Sequence, residues 1–168
     1  MQDDEVTLLE KCIAFLNEIG IVVICRPQPA GTFLPGLSVE NGCIIMDKNN
    51  LKYPGDILHE AGHIAVVPAD ERASLNAVTI AARPNREAEE MMAIAWSYAA
   101  CTELKIDPYF VFHDNGYKGG GSSIADNFNN KQYFGLPMLQ WVGMTFDEKK
   151  AAEKNVPPYP AMIKWLRD

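Results

Sequence analysis

The chain has 168 residues, the length of one ordinary domain, and its 48% hydrophobic and 22% charged residues are those of a folded globular protein. Fifteen Lys and Arg against 22 Asp and Glu leave a net charge of −7 at pH 7. That balance excludes a global basic field for phosphate backbones or anionic lipid, so neither nucleic acid nor a membrane is expected as a partner.

The start, Met1-Gln2-Asp3-Asp4-Glu5, is acidic where a secretory signal carries Lys or Arg, and no apolar run reaches about 18 residues, so a cytoplasmic location is expected. Val6, Leu8, Leu9, Cys12, Ile13, Phe15, Leu16 and Ile19 recur at helical spacing until Gly20, which predicts an amphipathic helix with one face in the core. Residues 21–25 form a β-branched run that reads as a buried strand, and Pro27, Pro29, Gly31, Pro35 and Gly36 mark a loop. Residues 37–40 and 43–47 flank Asn41-Gly42, the signature of a type I′ hairpin.

A helix is predicted from Pro54, which suits a first turn, to a point before Pro68. Residues 77–81 read as a further short strand. Asn85 is placed to cap a long helix, residues 86 to about 104, whose Ala-rich body implies close packing and whose Glu87, Glu89 and Glu90 suit the positive end of the helix dipole. Further on, Ser122-Ser123 is placed to cap a helix, and Thr145-Phe146-Asp147-Glu148 reads as a capping box. The four cysteines, Cys12, Cys25, Cys43 and Cys101, form no CxxC pair and read as reduced thiols packed as small hydrophobes.

His59-Glu60-Ala61-Gly62-His63 is an HExxH motif, and two of the three histidines of the chain lie in it. On a helix, residues four apart share a face, so His59 and His63 can hold one tetrahedral cation. Glu60 lies about 100° around that helix, where its carboxylate serves as general base toward metal-activated water rather than as ligand. A catalytic zinc site uses three protein ligands, so a third must come from elsewhere. A third histidine six residues on would complete a metzincin site, but Val66 and Ala69 occupy the two diagnostic positions. Asp70 and Glu71 are near in sequence, and Glu87, Glu89 and Glu90 are stronger candidates on the long helix. Tyr98, His113 and Tyr117 are the side chains that could donate to a developing oxyanion, and the loop of residues 116–123 could close over a substrate.

With these residues the chain resembles the zincin-like metallopeptidases of the gluzincin type, where a glutamate from a later helix joins HExxH. In the ImmA/IrrE group among them, that glutamate is followed three residues later by alanine. Glu90-Met91-Met92-Ala93 has this spacing and Glu87 and Glu89 do not; Ile94 departs from the Asp or Asn that often comes next. The resemblance spans about residues 20–105. It implies one zincin-like domain over 1–168, with a metal-binding core at about 20–105 and a C-terminal extension at about 106–168. It also implies one zinc ion per chain on His59, His63 and Glu90, and hydrolysis of a peptide bond in a protein or peptide substrate with Glu60 as general base. The alternative is a non-catalytic zincin-fold protein that binds metal for partner recognition or regulation. The expected fold is α+β, a small antiparallel sheet packed against helices, with HExxH on the central one.

Overall fold

The structure, a computed structural model, describes residues 3–29 and 34–168, so the first two residues and Gly31 of the expected proline-rich loop lie outside the described residues. It is α+β, with seven α-helices among the described residues and one three-stranded sheet. In chain order these are α1 (Asp3–Glu18), β1 (Val23–Cys25), β2 (Leu37–Glu40), β3 (Cys43–Met46), α2 (Asp56–Ala65), α3 (Ala77–Ala81), α4 (Arg86–Leu104), α5 (Gly121–Asn129), α6 (Leu136–Trp141) and α7 (Glu148–Lys154).

The expected hairpin is present: β2 pairs with β3 antiparallel, Glu40 opposite Cys43, around Asn41 and Gly42 with φ of 51° and 71°. The sheet as a whole is mixed, not antiparallel. Its order is β1-β3-β2, and β1 runs parallel to β3 because the chain crosses to the far edge for β2 before turning back into the middle. The edge strand β1 is not the buried strand its composition suggests; Ile24 is 41% exposed, and the buried residue of the run is Ile21, ahead of the strand.

Residues 77–81 form the helix α3, not a strand. Asn76 Oδ1 accepts from the backbone of Val78 and Thr79 at 3.0 Å each, while Thr79 Oγ1 accepts from Asn76 N at 2.8 Å, and this reciprocal box starts a helix. Thr145 does not cap α7; it is buried and donates to the Ala161 carbonyl, and Asp147 caps instead by accepting from Lys150 N at 2.8 Å. Ser122 and Ser123 lie inside the first turn of α5, and Asn85 precedes α4 without a side-chain cap. Pro54 stands two residues ahead of α2.

One buried cluster runs from Leu9 and Leu16 of α1 through Ile44 and Met46 of β3, Ile57 and Leu58 of α2, and Trp96 of α4 to Phe128 and Tyr159. Each fully buried Ile or Leu of this cluster stabilises the fold by about 1.5–3 kcal/mol relative to exposure. The long helix α4 is the spine. Its Ala93, Ala95, Ala99 and Ala100 are fully buried, and small side chains let α2 lie close against it. Ser97 Oγ donates to Ala93 O at 2.7 Å and approaches Leu58 O of α2 at 3.3 Å, while Trp96 Nε1 donates to Trp165 O at 2.9 Å and ties in the chain end. Cys12 and Cys101 are buried free thiols, and desolvation pushes Cys12 up to about 12. No helix among the described residues is long and apolar enough to cross a membrane.

Candidate metal centre

The periodicity of α2 explains its orientation. Ile57, Leu58, Ala61, Gly62, Ile64 and Ala65 form the buried apolar side, which leaves His59, Glu60 and His63, with the buried Asp56, on the opposite, polar side. At Gly62 a Cβ atom would lie 2.9 Å from Ala93 O and 3.1 Å from Ala93 Cα, so only glycine permits this approach of α4. Glu90 stands one turn before Ala93, and this close crossing brings its carboxylate to the two imidazoles.

The resulting triangle is tight. His59 Nε2 and His63 Nε2 are 3.2 Å apart, Glu90 Oε1 is 3.4 Å from His59 Nε2, and Glu90 Oε2 is 3.2 Å from His63 Nε2. A tetrahedral zinc with bonds of about 2.0–2.1 Å sets its ligand atoms about 3.3 Å apart, which is the spacing of the two imidazole nitrogens and of each of them from one oxygen of the Glu90 carboxylate. The donor set, two imidazole nitrogens and a carboxylate oxygen, also suits zinc. Both histidine side chains are 13% exposed and Glu90 is 43% exposed, so the centre is sheltered on the helix side and open at the carboxylate.

The charges are mutually adapted. Burial alone would raise the Glu90 carboxyl, but its hydrogen bonds to His59 and His63 and their charges hold it well below the usual carboxylate range. Burial opposes the His63 cation, and the hydrogen bond to Glu90 together with the Glu60, Glu90 and Glu89 charges outweighs it, raising His63. Glu60 is half-buried and forms no hydrogen bond or ion pair among the described residues, yet its charge acts on both His63 and Tyr117. It is a free carboxylate beside the triangle.

Comparison of the chain with models of protein families, with curated proteins and with solved structures finds no match. The chemistry of the centre is read from its own geometry.

The other carboxylates considered as ligands are placed elsewhere. Arg83 Nε and Nη2 donate to the two oxygens of the buried Glu89, at 2.6 and 2.9 Å, and Arg83 Nη1 donates to Glu71 at 2.8 Å. Asp70 and Glu87 are exposed and outside the triangle. Of the expected donors, Tyr98 is directed away: its hydroxyl meets Asn129 at 3.3 Å among the rings of Phe128, Tyr133 and Tyr159. Tyr117 lies edge-on to His59, with ring centroids 5.2 Å apart and planes at 74°. Its buried hydroxyl lacks a hydrogen-bond partner among the described residues, and burial with the Asp56, Glu90 and Glu60 charges raises its pKa well above the ordinary value. His113 Nε2 is 2.9 Å from Asp56 Oδ1, and Tyr53 stacks on its ring at 4.4 Å. Asp56 and Arg83 are absent from the candidates that the sequence motifs offer. Asp56 carried a signal, since a residue three before His59 shares its helix face; the role of Arg83 depends on a contact that sequence does not encode locally.

Proposed function

We propose that the chain is a zinc-dependent, zincin-like metallopeptidase whose one zinc ion is held by His59, His63 and Glu90. The observation that carries this reading is the convergence of two imidazole nitrogens 3.2 Å apart with a carboxylate whose two oxygens stand 3.4 Å from His59 and 3.2 Å from His63. When bound, zinc supplies a Lewis acid that polarises a carbonyl and brings water toward neutral pKa. Glu60 contributes the general base. Its unpaired carboxylate stands beside His63, free to take a proton from water at the centre and return it to the leaving amine. His59 and His63 stay fixed on one rigid helix face, and the Glu90 carboxylate offsets part of the cation charge. Open access on the Glu90 side suits a protein or peptide chain as substrate. Free, partly exposed Cys25 and Cys43 suit the cytoplasm.

The test is digestion of a denatured peptide library by the zinc-loaded protein and its Glu60→Gln variant, with cleavage products and bound zinc quantified together. Glu60→Gln is expected to keep zinc and lose about 10²-fold or more of the hydrolysis rate. Equal cleavage by both, or zinc retention without hydrolysis in the wild type, would overturn the peptidase reading; the second result would identify a non-catalytic metal-binding protein.

A further inference from the structure

The strap from His113 to Gly121 crosses the polar face of α2 and is held at two points of different kind. At its base the His113 imidazole meets Asp56 at 2.9 Å and stacks on Tyr53, and a Cβ at Gly121 would fall 2.4 Å from His113 O, so this end has no room to shift. At its tip the Tyr117 ring lies edge-on to His59 and also packs on Phe112, with ring centroids 5.5 Å apart. Tyr117, Lys118 and Gly119 take φ of 52°, 56° and 81° in succession, a left-handed run that L residues with side chains disfavour. Among the described residues the Tyr117 hydroxyl is buried there without a hydrogen-bond partner, beside the Asp56, Glu90 and Glu60 charges, and none comes within 4 Å of a Cβ placed at Gly119. Opening the tip relaxes the backbone and returns the hydroxyl to water, at the expense of ring burial; closing it does the reverse. Such a segment, strained and polar-unsatisfied at one end and firmly anchored at the other, is suited to two positions.

We propose that Tyr117 controls access to the His59 side of the metal centre, its ring covering His59 when the strap is closed and swinging out about the His113 anchor to let a substrate chain extend past the open Glu90 side. The inference rests on reading the centre as a metal site. His113 is then a positioning residue that acts through Tyr117.

Two readouts separate the inference from that premise. In metal-free protein, carbethoxylation of His59 by diethyl pyrocarbonate, located by peptide mass spectrometry, reports access without any metal. In protein loaded with zinc alone, transfer of zinc to a chromogenic chelator reports escape. Tyr117→Ala and His113→Ala are each expected to raise both rates on the order of tenfold, because either change removes the cover. Tyr117→Phe keeps the ring and removes the buried hydroxyl that favours opening, so its rates should be at or below those of the wild type, and His113→Gln, which retains a donor for Asp56, should restore slow rates. Should Tyr117→Ala fail to fold, the His113→Ala and His113→Gln pair gives the same contrast with Tyr117 in place. Rates equal across all variants in both assays would overturn access control while bound zinc leaves the metal site standing. A wild type that holds no zinc but shows the carbethoxylation contrast would overturn the metal reading and support Tyr117 as the cover of His59.

Discussion

Substituting Gly62 tests the close crossing that assembles the centre. In Gly62→Ala the new methyl would lie 2.9 Å from Ala93 O and 3.1 Å from Ala93 Cα and Cβ, where ordinary contact begins at 3.4 Å, so α4 must retreat by about half an ångström at that turn. Overpacking a backbone contact of this kind costs about 1–3 kcal/mol, whereas alanine gains about 1 kcal/mol over glycine in a helix interior. The net expectation is a loss of about 1 kcal/mol, or roughly 2–4 °C in Tm for a chain of this size. Because Glu90 is one turn away on the same helix, the retreat also opens the triangle, and zinc affinity should fall about tenfold. Urea denaturation of the metal-free protein reads the first quantity and competition with a zinc chelator the second. A variant that is stabilised by about 1 kcal/mol and binds zinc unchanged, the outcome for an unencumbered helix position, would refute the reasoning.

Three further outcomes follow from other contacts. Asp47 accepts from Gln28 N and Asn49 N at 3.0 Å each and from Asn50 Nδ2 at 2.8 Å, and these bonds hold its pKa below the ordinary value. A depressed native pKa stabilises the fold above the unfolded pKa of about 4 and ceases to do so as pH falls through the native value. Asp47→Asn should therefore narrow the stability gap to wild type as the pH of urea melts is lowered through that window, and a gap constant with pH would contradict the assignment. Arg83→Met leaves the buried Glu89 carboxylate without its two donors, and a loss of about 2–3 kcal/mol is expected, somewhat below that for a fully buried pair; an unchanged denaturation midpoint would show the pair to be dispensable. Trp141 is 90% exposed, so Trp141→Ser should leave stability within about 0.5 kcal/mol, and a larger drop would mean that the indole is covered in solution.

The parts of the molecule legible in the sequence are those governed by near neighbours along the chain. HExxH carried its own geometry because helical spacing alone puts His59 and His63 on one face, and Asn41-Gly42 fixed the hairpin through the φ values that only such residues adopt readily. Residues 77–81 misled because Ala77, Val78 and Ile80 suit a strand, while the Asn76 and Thr79 pair that caps a helix was the stronger local signal. In residues 145–148 the reverse occurred: Thr145 has the right spacing for a box, but burial against the chain end turns its hydroxyl to Ala161 and leaves capping to Asp147. The parallel seat of β1 and the partition of the α4 carboxylates depend on tertiary contacts. Glu89 and Glu90 are neighbours in sequence, yet about 100° of helix rotation sends one to Arg83 and the other to the histidines.

Metal content is the most direct measure of whether this geometry is a zinc site. Elemental mass spectrometry of protein purified without added metal or chelator, with Glu90→Ala and Glu87→Ala beside it, should give near-stoichiometric zinc in the wild type and in Glu87→Ala and little in Glu90→Ala. A wild type that carries no zinc and takes up none on reconstitution would contradict the account at its centre.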